Sequence, residues 1–290
     1  MPNAPQTHPS YDGRSRPILL AILSFSLWFA AAAHAQDEDT ADAGSSPGRK
    51  LIIQREGIFT LIGNIPPDEM QAIREHTIRA CSEALFHDFF DKRPTGPIKI
   101  YLFKDDANYR AYAKKLFNET PSSPYGYYMH HGNRMVMNIA TGTGTLVHEM
   151  VHALIAVDFP DVPTWLNEGL GSLFEQCYLR DHSIYGLINW RYPAVKKAIS
   201  DGTLVHLKDL IATSDDEFRD ENEALHYAEA RYFCMCLQQK GLLRTFYRKF
   251  RDGYKESPTG EKFLVETLGK DLDNAENDWR GWIRGLKSED

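Results

Sequence analysis

His148, Glu149 and His152 lie close together in "TLVHEMVHALIAV". Side chains four apart on a helix project from one face about a turn apart, so both imidazoles can reach a single ion. Glu149 borders the same face and is placed to take a proton from water. Histidine, acid, two residues, histidine is the spacing of a zinc site with a general base. Leu146, Val147, Met150, Val151, Leu154 and Ile155 surround these groups. Three polar groups on so apolar a helix cost free energy unless something satisfies them, and a metal does. The plain alternative is a pair of histidines hydrogen-bonded within a core.

A catalytic zinc takes three protein ligands and keeps one position open. "DVPTWLNEGLGSLFEQC" offers the third. Pro163 opens a second helix, with Leu166, Leu170, Leu173, Phe174 and Cys177 as its apolar side, and residues 153–162 turn the chain back between the two helices. Glu168 lies near the start of this helix, beside Gly169 and Gly171, which permit close approach. Glu175, two turns further on, is the second choice.

"HEMVH" followed by "PTWLNEG" resembles the gluzincin metallopeptidases, and the chain is most similar to their short, exported "peptidase MA-like" bacterial group. "NWRYPAVKKAI" and "HYAEARYFCMCLQQKG" extend the resemblance less specifically. It implies a thermolysin-like (zincin) architecture, one Zn²⁺ held by His148, His152 and Glu168, Glu149 as general base, and a peptide or protein substrate. Where thermolysin-like enzymes place an aspartate one turn after the glutamate to orient a histidine, this chain has Ser172, a weaker partner. The aminopeptidase signature is not evident, which favours an endopeptidase. The family also places a tyrosine or histidine on a later helix to stabilise the oxyanion, and "ALHYAEARYF" offers both. His226 falls within the stripe of Ala230, Phe233 and Leu237, whereas Tyr227 lies at its margin, so Tyr227 is the expected donor. His130 and His131 read as exposed edge residues beside the cleft. Arg191 is open between a substrate contact and a structural ion pair. A metal-bound but non-catalytic binding module is the alternative function, against which Glu149 argues.

The elements that must position these groups divide in two. Residues 50–141 read as a mixed α/β half: a hairpin around Glu56-Gly57, a long helix opened by Pro67 and Asp68, a strand in "PIKIYLF", a helix starting near Asp105, and two strands joined at Gly132-Asn133. Residues 142–290 read as helical throughout, with strands confined to the first half and "SDDEFRDENE" a solvated loop. The fold class is α+β, with residues 50–290 as one peptidase domain.

Arg14 and Arg16, the apolar run "ILLAILSFSLWFAAAA" and the small residues of "AHAQ" form a secretory signal peptide, 1–35, followed by a polar leader, 36–49. The expected location is secreted or periplasmic, with no stable membrane insertion after cleavage. A formal net charge of −7 argues against nucleic acid and anionic membranes as partners. Cys81, Cys177, Cys234 and Cys236 could form one or two bridges in an oxidising compartment, although Cys234 and Cys236 point to different helix faces. Intact-mass measurement of protein recovered from the exporting cell is expected to find a chain starting at Gln36; retention of residues 1–35 would overturn the signal-peptide reading.

Overall fold

The computed structural model describes residues 51–129 and 132–287. The expected signal peptide with its cleavage point, the leader, and His130 and His131 lie outside the described residues. Among the described residues, no helix is long and apolar enough to cross a membrane.

Alternation of apolar and polar residues builds one mixed sheet first. Strands β1 (Ile52–Glu56) and β2 (Phe59–Gly63) pair as the expected antiparallel hairpin, turning at Gly57 with a φ of 53°. The chain then crosses over through a continuous helix: α1 (Pro67–Ala72), a stretch of π spacing (Ile73–Arg79) and α2 (Ala80–Asp88). It returns as β3 (Ile98–Phe103), parallel to β2. Helix α3 (Asp106–Phe117), capped by the Asp105 carboxylate accepting from the Asn108 amide, crosses over to the hairpin of β4 (Gly126–Met129) and β5 (Arg134–Asn138). The sheet order is β1-β2-β3-β5-β4, which leaves β4 at one edge. Period-two alternation decides what each face holds. Ile98, Ile100, Leu102, Met135 and Met137 join the main core, whereas Phe103 and Val136 pack with Tyr109 and Tyr112 of α3 on the opposite face.

Helix α4 (Gly144–Asp158) carries "HEMVH" across the core face of this sheet, against β4 and β5. It runs further than the sequence suggested, so only residues 159–163 make the turn into α5 (Thr164–Phe174). Helix α5 is almost wholly buried between α4 and α9 (Glu223–Gln239). A Cβ at Gly169 would stand 2.8 Å from Cys234 Sγ and 3.1 Å from the Ala230 carbonyl, so glycine is what allows that approach. Helices α6 (Tyr192–Asp201), α7 (Leu207–Leu210), α10 (Leu243–Gly253), α11 (Glu261–Leu268) and α12 (Leu272–Gly285) complete the α+β fold around them.

Two expectations fail. Strands are not confined to the first half, because β6 (Cys177–Arg180) and β7 (Ser183–Gly186) form a hairpin directly after α5. Its turn places Asp181 and His182 at φ of 51° and 64°, a left-handed pair that usually requires glycine or asparagine. The acidic run is not merely a solvated loop either. Ser214 and Glu217 make a reciprocal capping box that opens α8 (Asp215–Phe218), and Phe218 is fully buried. The four cysteines are free and buried, and the neighbouring Cys177 together with burial pushes the Cys81 thiol pKa well up.

The far end of α4 is anchored by charge. The Asp158 carboxylate is fully buried and accepts from the amides of Asp91 (2.9 Å) and Lys92 (2.8 Å), the Tyr247 hydroxyl (2.8 Å) and Arg251 Nη1 (2.9 Å). Burial favours its protonation, but Arg251 and these donors hold its pKa below the usual carboxylate value. Asp158→Ala leaves the Asp91 and Lys92 amides and the Tyr247 hydroxyl without their acceptor, while Arg251 keeps Asp91 and Asp252; it is expected to cost about 2 kcal/mol or more, read as a lowered denaturation midpoint at unchanged m.

Candidate metal centre

Three side chains converge where α4 and α5 run side by side. His148 and His152 each present Nε2 at 3.3 Å from Glu168 Oε2, and the candidate ligand atoms all lie within 4.8 Å of one another. Donors about 2.0–2.2 Å from a tetrahedral zinc stand roughly 3.4 Å apart, so these separations suit a shared ion. Glu168 supplies the decisive observation. Its side chain is 4% exposed, and Oε2 is buried with no hydrogen-bond partner. A buried carboxylate oxygen that faces two imidazoles at 3.3 Å without forming a hydrogen bond is costly. An ion among the three satisfies it.

The backbone makes this convergence possible. A Cβ at Gly171 would come within 3.0 Å of His148 Nε2, so glycine there leaves room for the ring. The other Glu168 oxygen, Oε1, accepts from Arg219 Nη2 at 2.6 Å, which commits that oxygen and leaves Oε2 for the ion. Thr164 donates to Asp215, tying the start of α5 to α8 and hence to the segment that presents Arg219.

Each histidine has a partner on its other nitrogen. His152 Nδ1 lies 2.9 Å from Asn167 Oδ1, and His148 Nδ1 lies 3.6 Å from Glu175 Oε2. Glu175 is therefore beside the site but behind a ligand. It also accepts from Asn189 Nδ2 and Arg191 Nε, both at 3.0 Å, with the buried Arg231 3.9 Å away. Ser172, at the position where thermolysin-like enzymes orient a histidine, donates instead to the Glu168 carbonyl at 2.6 Å. Burial opposes charge on His148, yet the Glu168 and Glu175 carboxylates outweigh it and push its pKa up to about 10. Burial likewise favours protonation of both acids. The imidazoles hold Glu168 well below the usual range, and His148 with Arg191 holds Glu175 at about 2. Both carboxylates are thereby kept ionised beside the imidazoles.

The site opens into a pocket of about 330 Å³, lined by Glu149, Tyr127 and Tyr128 of the edge strand, Arg219 and Tyr227 as well as the three candidate ligands. Glu149 is half-buried. The Tyr227 hydroxyl accepts from Arg219 Nη1 at 3.0 Å, and its ring stacks 6.5 Å from that of His148. Burial and the Glu168 charge push the phenol's pKa up, so it keeps its proton. His226 points elsewhere, with Nδ1 2.9 Å from the Phe218 carbonyl in a buried setting. Arg191 is held in an ion pair with Glu175 and lies over the Tyr227 ring at 5.2 Å.

Asn167, Glu175 and Arg219 complete the site without having been assigned these positions from sequence. Asn167 adjoins Glu168 and could have been read from that neighbour, whereas Arg219, the lone base within an acidic run, reads as a solvated charge. No protein-family model matches the chain, and no curated protein matches it.

Partners of this kind tune metal affinity through ligand orientation. Asn167→Ala and Glu175→Gln are each expected to weaken metal binding by about 10- to 100-fold in competition with a chelator. Ser172→Ala should leave affinity nearly unchanged, since its hydroxyl serves the helix backbone.

Proposed function

We propose that this chain is an exported zinc metallopeptidase of the gluzincin kind, hydrolysing peptide bonds with endopeptidase mode favoured. The observation that carries the reading is the buried Oε2 of Glu168, 3.3 Å from both histidines with no hydrogen bond formed, in a pocket that also holds Glu149. A thermolysin-like arrangement accords with the antiparallel helix pair beneath a sheet whose edge strand borders the pocket.

His148, His152 and Glu168 would hold the ion. Zinc bound there acidifies water and polarises a carbonyl. The chain's own groups do the rest. Strand β4 is the edge of the sheet beside the pocket, where an extended peptide can add as a further strand. Glu149 takes the proton of the attacking water and delivers it to the leaving amine. Tyr227 receives a hydrogen bond from Arg219 on its oxygen, and its own O–H, which faces the Glu168 carboxylate, is the group to donate to the oxyanion. Arg219 thus fixes the carboxylate ligand and orients the donor. Its pKa is raised, because the Glu168 charge and the Tyr227 oxygen outweigh burial, so it remains a cation.

A metal-holding module without catalysis would keep the three ligands but has no use for Glu149. Purified protein is expected to carry about one zinc per chain, lost in His148→Ala, His152→Ala or Glu168→Ala. Glu149→Gln should retain zinc and abolish cleavage of a mixed peptide library. Tyr227→Phe should lower kcat by roughly 10²-fold, about 3 kcal/mol, with KM little changed. Zinc-loaded wild-type protein that cuts nothing in the library would favour the binding module.

A further inference from the structure

A larger hollow adjoins the metal pocket. It measures about 590 Å³, within the roughly 300–1,000 Å³ of small-molecule sites, and is bordered by Tyr125, the 141–145 segment entering α4, Glu175, Trp190 and Arg191. Resting on the peptidase reading, we propose that this cavity receives an aromatic side chain of the substrate, from a residue next to the bond that is cut.

Contacts between the two walls establish the adjacency. Glu175 lines this cavity, and its Oε2 stands 3.6 Å from Nδ1 of His148 in the metal pocket. Arg191 lies 5.2 Å over the ring of Tyr227, which lines the metal pocket, and 5.6 Å over the ring of Trp190, which lines the cavity. Tyr125 immediately precedes β4, whose Tyr127 and Tyr128 border the metal. A peptide lying along the β4 edge past Tyr127 and Tyr128 in the metal pocket therefore also runs past Tyr125 at the cavity.

The chemistry of the walls selects the occupant. Among the described residues four large hydrophobics are exposed: Ile53, Leu116, Tyr125 and Trp190. Two of the four border this one cavity, with Tyr125 at 53% and Trp190 at 65% exposure. Aromatic faces left in water gain free energy when another ring covers them. Thr141 to Thr145, with glycines at 142 and 144, and the uncharged Gln176 line much of the rest, beside Glu175. Arg191 is the one base among the lining residues, and its Nε already donates to Glu175 Oε1 at 3.0 Å. The cavity has aromatic surface to offer and no uncommitted cation for an acidic side chain.

The test uses zinc-saturated protein and peptides identical except at the two residues flanking one cleaved bond, occupied in turn by Phe, Trp, Leu, Ala or Asp. Phe or Trp at one flanking position should exceed Ala in kcat/KM by about 10-fold or more. Trp190→Ala and Tyr125→Ala should each shrink that ratio several-fold, chiefly through KM. A preference for Asp, or a Phe-to-Ala ratio unaltered in both variants, overturns the proposal. A second measurement needs no turnover: calorimetric titration of zinc-loaded Glu149→Gln with the Phe and Ala peptides. Tighter binding of the Phe peptide, lost on adding Trp190→Ala, supports the subsite; equal affinity, or none for either peptide, overturns it. Selective binding of the Phe peptide by a wild-type protein that cuts no peptide sustains the subsite while defeating the peptidase reading.

Discussion

Glu168 carries a charge into a place where charge is expensive, and most of the surrounding structure answers that cost. Its two oxygens are committed differently. Oε1 accepts from Arg219, and Oε2 faces two imidazoles with no hydrogen bond of its own. Removing either arrangement would leave a buried carboxylate short of partners. The same cation that neutralises one oxygen reaches the Tyr227 hydroxyl through its other nitrogen. Ligand, counter-ion and proposed hydrogen-bond donor are therefore linked, and a shift in one is felt by the others.

That arrangement demands unusually close contact among helices. Gly171 yields to His148 on one side of α5, and Gly169 yields to α9 on the other. With α5 seated this way, the aromatic packing of Trp165 against Phe233 and Phe246, at 6.1 and 5.9 Å between ring centres, locks its first turn. Helix α4 is held at its far end by Asp158 and along its length by the sheet. Rigid elements rather than loops thus carry the two histidines and Glu168, which favours a preformed site over one assembled by a ligand.

Much of this was legible in residue spacing. The histidine pair, the acid on the following helix and the glycines beside it appear in the order that brings them together, and period-two alternation in "PIKIYLF" and "RMVMN" fixes which sheet face meets α4. The β6–β7 hairpin was not legible, because Asp181-His182 takes a left-handed turn that those residues rarely announce. Arg219 was hidden by its setting. A base among acids reads as a solvated charge, and nothing local reveals that Phe218 beside it is drawn into the core and so turns the chain toward Glu168. Long-range pairing of this kind depends on the packing of α8 against α5, which sequence distance does not encode.

The substitution of Glu175 for the expected orienting residue follows from helix phase. On α5, Ser172 is one turn beyond Glu168 and Glu175 is two turns beyond, so both share the face turned to α4. Because α4 and α5 are antiparallel, each step forward on α5 is a step back on α4. Asn167 stands against His152, Gly171 against His148, and Glu175 has reached the level of Gly144, where an added Cβ would lie 2.4 Å from its carbonyl oxygen. A serine at 172 is too short to turn aside from the helix backbone, and it bonds the Glu168 carbonyl. Glutamate from the next turn has the length to reach back to His148 Nδ1 while its other oxygen takes Arg191 and Asn189. The histidine closer to the start of α4 is thereby supported by an acid whose own charge is balanced from the far side. That placement also makes Glu175 the wall between the metal pocket and the aromatic cavity, so the support of a ligand and the shape of the neighbouring hollow depend on the same side chain.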